Sequence, residues 1–208
     1  MLAVGLTGNI ACGKSFVASV FAEMGAMVLD ADLVAHDLLL PGEDTRRLVV
    51  EAFGPGIVNE DGSINRRRLG AIVFSDVARR GLLNSIVHPE VRRRISKWLG
   101  DARLRMPRGL AVVQAALMVE SGSYTLYDRI VIATCPPAVQ LERLMKRDGL
   151  SESQAMERIR SQMSQEEKAR YAHHVVDTRG GFESVRTRTA EVFRELQKGV
   201  ERNRGSAV

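Results

Sequence analysis

The sequence predicts an α/β fold with a parallel sheet, a helical insertion and a helical lid. Three observations lead there. Short apolar runs alternate with helix-length segments from the start of the chain. A glycine-framed loop separates the first such run from the first helix. Between Pro41 and about Pro107 the apolar runs give way to an Arg-rich, mostly helical stretch punctuated by turn signals.

Taken in order, residues 3–6 form a short apolar run, followed by Gly8 and Gly13 and a helical pattern over 14–24. Gly25 stops that helix, as a glycine just past a helix end does. A second apolar run, 27–29, ends at Asp30-Ala31-Asp32, completing the strand–loop–helix–strand opening of a parallel sheet. The insertion, 41–107, carries turns at Phe53-Gly54-Pro55-Gly56 and Asp61-Gly62. Buried strands are expected at 110–113 and 130–133. Cys135-Pro136-Pro137 then leads into a helix over 138–147, with Pro in its first turn, that ends at Asp148-Gly149. Ser151 and Gln154 form a capping box that opens another helix. A third helical stretch covers 166–171, a short strand 175–177 and a closing helix 182–198, before a polar tail. The expected organisation is a core of 1–40, 108–137 and 172–199, the insertion 41–107, a lid region 138–171 and a tail 200–208.

Composition narrows the function. At 208 residues the chain suits one α/β domain with an insertion. Aromatics make up 5%, too few for a base-stacking platform on single-stranded nucleic acid. The net charge of +5 suits an anionic ligand such as a nucleotide or a phosphorylated substrate. Much of the surplus lies in Arg66-Arg67-Arg68 and Arg92-Arg93-Arg94, which read equally as solvated helix faces. Two cysteines, Cys12 and Cys135, do not make a disulfide framework. The N-terminal run is interrupted by Lys14 and has no basic leader, so a signal peptide is not expected. The longest apolar run, 110–119, is broken by Gln114 and too short to span a bilayer. The expectation is a cytoplasmic protein without nucleic-acid or membrane partners. Its oligomeric state stays open between monomer and small homo-oligomer.

The chemistry is concentrated in Gly8-Asn9-Ile10-Ala11-Cys12-Gly13-Lys14-Ser15, which matches G-x-x-x-x-G-K-[ST] at every required position. A strand precedes it and a helix follows, the context in which this pattern cradles nucleotide phosphates. Backbone N–H groups turn inward onto phosphate oxygens, and the helix N-terminus adds partial positive charge. Lys14 can reach the β and γ phosphates, and the Ser15 hydroxyl is a hard oxygen ligand for Mg²⁺. The core is therefore expected to be a P-loop NTPase core using ATP and Mg²⁺, with residues 8–16, including Phe16, binding the nucleotide. Cys12 reads as a small loop-filling side chain; a reactive thiol at a helix N-terminus is the alternative.

Asp30 and Asp32 stand where the second strand ends, the edge at which open α/β sheets bind ligands. Alternate positions on an extended segment share a face, so both are expected to point into the cleft. One would deprotonate an acceptor hydroxyl and the other would hold Mg²⁺ through water. Asp32 would equally serve as a helix N-cap.

A longer ordered series follows. Val4-Gly5-Leu6-Thr7-Gly8, Gly25 and Asp30-Ala31-Asp32 come first, then Ala35-His36, Pro41-Gly42, Phe53-Gly54, Asp61-Gly62, Arg67-Arg68-Leu69 and Val73-Phe74. His88-Pro89, Glu120, Gln140, Arg143, Arg147, Arg158, Gln162 and Val176-Asp177 complete it. In order and spacing, from about residue 3 to 180, the chain resembles the dephospho-CoA kinase family. The resemblance implies transfer of the ATP γ-phosphoryl to the ribose 3′-hydroxyl of dephospho-CoA. It also implies Asp32 as base with Asp30 nearby, and His88 and Pro89 near the acceptor in the insertion. Arg143 and Arg147 would reach phosphates from the lid side, and their spacing of four puts them on one helix face.

The chain departs from the family pattern at several positions. Phe16 replaces the usual Thr, Gln114-Ala115-Ala116-Leu117-Met118 replaces a Pro before two leucines, and Thr178 replaces an Asn. The first alternative is another small-molecule P-loop kinase, for a nucleoside monophosphate or sugar. A GTPase would need Asn-Lys-x-Asp, which the sequence lacks. His173-His174 resembles a metal pair but has no supporting carboxylate or Cys spacing.

Overall fold

The computed structural model describes residues 1–202. It divides into two compact units, one of Met1–Asp30 and Leu99 onward, the other of Ala31–Trp98. Both limits of the second unit fall earlier than those expected for the insertion, 41 and 107. In the expected tail, residues 200–202 are helical and 203–208 lie outside the described residues.

The first unit is a five-stranded, wholly parallel sheet of β1 (Leu2–Thr7), β2 (Met27–Asp30), β3 (Leu110–Gln114), β4 (Arg129–Thr134) and β5 (His174–Asp177). The order is β2-β3-β1-β4-β5, with all pairs parallel. β1 is central and every residue of it is buried, which is why it reads as a continuous apolar run and not as an alternation. On one face, Leu2, Val4 and Leu6 meet α1 (Lys14–Glu23) through Val17 and Phe21. They also meet α9 (Phe182–Arg202) through Val192, Phe193 and Leu196. The alternate residues that share this face of β1 are thus matched to helical stripes on α1 and α9.

Helix ends follow their chemistry. α1 closes with Ala26 N–H on Phe21 O and Gly25 N–H on Ala22 O, both at 2.9 Å. This paired ending needs a left-handed residue, and Gly25 supplies φ 94°. The lid-region helices are α6 (Pro137–Asp148), α7 (Glu152–Arg160) and α8 (Gln165–Ala169). α7 has the expected Ser151/Gln154 capping box. α8 starts before the expected 166 and stops before 171, because a second box, Ser164 with Glu167, sets its start.

The second unit is helical: α2 (Ala31–Asp37), α3 (Asp44–Phe53), α4 (Arg66–Ser75) and the first part of α5 (Val77–Arg105). Leu38, Val49, Ile57, Leu69, Val73 and Val87 form its core. The arginine runs lie mostly on solvated faces: Arg66, Arg67, Arg68, Arg92 and Arg93 are exposed, Arg93 pairing with Glu90 at 2.6 Å and Arg68 donating to Gly56 O at 3.1 Å, while Arg94 is half-buried against Glu43 at 2.5 Å. Pro89 lies inside α5, where it removes a backbone donor without ending the helix. Among the described residues, no helix is long and apolar enough to cross a membrane.

Candidate functional site

Because all strands run parallel, the ends of β1 through β5 lie along one edge of the sheet, and the loop 8–15 leaves that edge from the central strand. Its shape depends on backbone that most residues avoid. Gly8 has φ 147°, Ala11 φ 60° and Gly13 φ 76°. A Cβ on Gly8 would collide with the carbonyl oxygen of Ala133 in β4, so glycine is needed for the close approach as well as for φ. Ala11 bears its left-handed geometry without glycine's freedom, a strain of the kind concentrated at ligand sites.

Lys14, at the first position of α1, donates from Nζ to the carbonyls of Gly8 at 2.8 Å and Asn9 at 3.0 Å. These bonds hold its ammonium across the loop. Ser15, the next residue, is exposed. The loop is also clamped from the lid region. Asn9 Nδ2 donates to Met163 O at 2.8 Å, Ile10 N–H to Gln162 Oε1 at 2.8 Å, and Gln140 Nε2 to Ile10 O at 2.9 Å. Gln165 Nε2 donates onward to Gln140 Oε1 at 2.9 Å. The segment between α7 and α8 therefore carries the loop's first half.

Lys168 belongs to the same support. It is wholly buried, a rare state for lysine. Its Nζ meets Glu120 at 2.9 Å and Ala116 O at 3.1 Å. Thr7 Oγ1 donates to that same carbonyl at 3.3 Å, which links β1's end to the segment after β3. Gln140 and Gln162 stand in the ordered series read from the sequence, but nothing there pointed to their role. Gln165 and Lys168 had no signal, since an isolated Gln or Lys on an amphipathic helix reads as surface.

Beyond the loop a cleft of about 400 Å³ is lined by Gly13, Phe16, Arg143, Thr178, Phe182 and Val185. Phe16 and Phe182 meet edge to face, 5.1 Å between ring centres. Thr178 organises its base. Its hydroxyl donates to Cys12 O at 3.2 Å and accepts from Arg143 Nη1 at 3.0 Å, while its carbonyl accepts from Arg143 Nη2 at 2.7 Å. Arg143 and Arg147 were expected to act together, but their partners diverge. Arg143 is committed to Thr178 in the cleft wall. Arg147, at the end of α6, pairs with Asp148 at 2.8 Å, as does Arg158 at 2.9 Å.

The expected shared face of Asp30 and Asp32 is corrected. β2 ends at Asp30, and α2 begins at Ala31, so Asp32 lies in a helical first turn and strand alternation does not apply. Asp30 stays on the sheet edge, where Gln114 Nε2 donates to its Oδ2. Asp32 is exposed and fits the positive N-terminal end of α2. Asp32, His88 and Pro89 belong to the second unit. There His88 is half-buried on α5, and burial, with Arg92 alongside, lowers its pKa below the ordinary imidazole value.

Among the described residues, no group of three or more His, Cys, Asp or Glu could hold a metal ion alone. The pair His173-His174 is used otherwise. His173 Nδ1 accepts from Ile130 N–H at 3.0 Å and His174 Nδ1 faces Glu195 at 3.1 Å. The donors near the loop, the Ser15 hydroxyl and the Asp30 carboxylate, are hard oxygens of the sort Mg²⁺ takes alongside phosphates and water.

Comparison with known proteins places the chain among relatives. The dephospho-CoA kinase family model matches residues 2–184. A curated relative, a dephospho-CoA kinase of Moorella thermoacetica, is 39% identical over 198 residues, 95% of this chain and 93% of its own length. A crystal structure of a Thermus thermophilus protein superposes with TM-score 0.81 at 33% identity, covering 94% of this chain and 97% of that one. The dephospho-CoA kinase from Campylobacter jejuni superposes with TM-score 0.71 at 28% identity, covering 95% and 98%.

Proposed function

This chain belongs to the dephospho-CoA kinase family, and from that premise we propose how its residues divide the work. It phosphorylates the ribose 3′-hydroxyl of dephospho-CoA with ATP, giving coenzyme A and ADP, the last step of coenzyme A synthesis. The observation that carries the donor half is the loop 8–15 between the central strand and α1, with Lys14 held across it.

The ATP triphosphate lies in the loop, against the backbone N–H groups and the N-terminus of α1. Lys14 neutralises charge on the transferred phosphoryl group. That stabilisation matters most where charge develops in the transition state. The base occupies the cleft between Phe16, Phe182 and Thr178, with Arg143 fixing its wall. Its apolar ring edges and few polar atoms match a purine's flat, weakly polar faces. Thr178, where relatives carry Asn, holds the cleft to the loop through Cys12 O, so the departure keeps a hydrogen-bonding residue at the junction.

Mg²⁺ fits the oxygen donors present; Ser15 would hold it, with Asp30 as a further candidate, and when bound it screens phosphate charge. Asp32 takes the proton from the acceptor hydroxyl, while His88 and Pro89 contact the acceptor. The depressed pKa of His88 keeps it neutral near pH 7, so it acts there as a hydrogen-bonding group and not as a fixed charge. Arg147 supplies positive charge from the lid region after exchanging Asp148 for phosphate. The enzyme acts in the cytoplasm, and nucleic acid is not a partner.

The test is ADP release from ATP and Mg²⁺ with dephospho-CoA, AMP, adenosine or no acceptor in parallel. Stimulation by dephospho-CoA alone is expected. Stimulation by AMP or adenosine in its place would keep the kinase and overturn the acceptor.

A further inference from the structure

The chain has two cysteines, and the fold brings them together from 123 residues apart. Cys12 lies in the phosphate loop and Cys135 just past the end of β4, with their sulfurs 3.4 Å apart. Both are free thiols. Cys12 is 0% exposed; Cys135, at 6%, lines a second cleft of about 500 Å³ with Thr134, Pro136, Gln165, Asp177 and Arg179. A small reagent entering that cleft meets Cys135 first and finds Cys12 directly behind it.

We propose that the Cys12–Cys135 pair is an oxidative modification site, converted by a hydroperoxide into a disulfide that disables the phosphate loop. The consequence for the loop rests on its reading as the nucleotide phosphate site; the bond itself does not. The Cys135 thiolate sulfur attacks a peroxide oxygen, the O–O bond breaks, and the departing oxygen leaves protonated. Cys135 becomes a sulfenic acid. The Cys12 sulfur then loses its proton and attacks the Cys135 sulfur. The S–O bond breaks, and hydroxide takes up that proton as water. Two thiols lose two electrons and two protons, and one peroxide bond is reduced.

The surroundings favour that order. The hydrogen bond between the two sulfurs, helped by the nearby Arg143 charge, lowers the Cys135 pKa against the opposing effect of its own burial. The same contact and its own burial push Cys12 upward, so Cys135 is the sulfur that ionises. Lys14 and Asp177 also act on the pair and oppose these directions.

Closing the bond must bring the sulfurs from 3.4 Å to about 2.05 Å. Cys135 resists moving, because Gln165 binds both its N–H and its carbonyl, each at 3.0 Å. Cys12 is held by the Asn9 carbonyl at 3.2 Å and the Thr178 hydroxyl at 3.2 Å, both within the site itself. The displacement therefore falls on the loop. Binding geometry there tolerates only about 0.5 Å.

The test treats reduced enzyme with hydrogen peroxide, removes the oxidant, and measures intact mass under non-reducing conditions and ATP affinity by calorimetry. The expected result is a monomer lighter by two hydrogen atoms that binds ATP at least about tenfold more weakly, ~1.4 kcal/mol, with full recovery in dithiothreitol. Cys135→Ala, and the near-isosteric Cys135→Ser, should bind ATP like the reduced wild type before and after peroxide. An unchanged mass, or gained oxygen without loss of two hydrogens, overturns the proposal. So does a formed bond with unaltered ATP affinity, or an equal loss in Cys135→Ala, which would point to methionine oxidation. Failure of the reduced enzyme to bind ATP would instead overturn the phosphate-site reading, and the mass would still decide the bond.

Discussion

Lys14 is tied to the loop by two carbonyl bonds, at 2.8 and 3.0 Å, which hold its charge across the loop. Lys14→Ala should leave the fold intact and lower kcat by about 10²–10³-fold, since the lost stabilisation is largest in the transition state. Steady-state kinetics with a circular dichroism control checks it, and near wild-type kcat would contradict the role. Asp32→Asn should spare ATP binding and slow transfer by about 10²–10⁴-fold, the range of a general base. Collapse of ATP affinity instead would assign Asp32 to the metal. Lys168 makes a different demand. Lys168→Met removes the buried ammonium from the Ala116 carbonyl and from Glu120. Glu120 is itself exposed and also accepts from Met163 N–H, so the expected cost is about 1–3 kcal/mol, that of a lost buried hydrogen-bonded group. Urea titration should show that loss in the midpoint. A change under about 1 kcal/mol would mean the pair is not integral to the support beneath the loop.

The β4–β5 edge carries a pH dependence. His173 Nδ1 accepts the Ile130 N–H, which requires a neutral ring. Burial, then Arg129 and His174, lowers its pKa, and His88 is lowered by burial and Arg92. Both histidines bind a proton less readily folded than unfolded. Their stabilisation is therefore complete above the unfolded value, about 6.5, and is lost as pH falls through the depressed folded values. Tm should drop between pH 7.5 and 5.5, and His173→Asn, whose side-chain oxygen can accept without titrating, should flatten that drop. An unchanged slope would remove His173 from the account. At this scale the sequence was most legible where one interaction dictates an element. The apolar runs became β1 to β5, Gly25 ended α1, and Ser151 with Gln154 opened α7. It was least legible where tertiary partners decide. α2 begins directly after β2 without a separating turn, which moved Asp32 off the strand, and α5 runs through Pro89 because the helix is supported on both sides of it. Gln165 and Lys168 look like surface residues until β3 and β4 are placed beside α8.

At the scale of the molecule, the phosphate loop was readable from eight consecutive residues because its chemistry is local. Its support was not, since Asn9, Gln140, Gln162 and Thr178 act through partners 35 to 166 residues away. The residues proposed for the acceptor, Asp32, His88 and Pro89, belong to a separate unit, Ala31–Trp98, in which Arg94 pairs with Glu43, Arg93 with Glu90, and Arg68 donates to Gly56 O. The most direct measurement follows the phosphoryl group itself. Enzyme, Mg²⁺, dephospho-CoA and ATP labelled in the γ-phosphate should give labelled coenzyme A, with the label released by a nuclease specific for ribose 3′-phosphates. Label recovered as inorganic phosphate, or on a position that enzyme cannot cleave, would contradict transfer to the ribose 3′-hydroxyl.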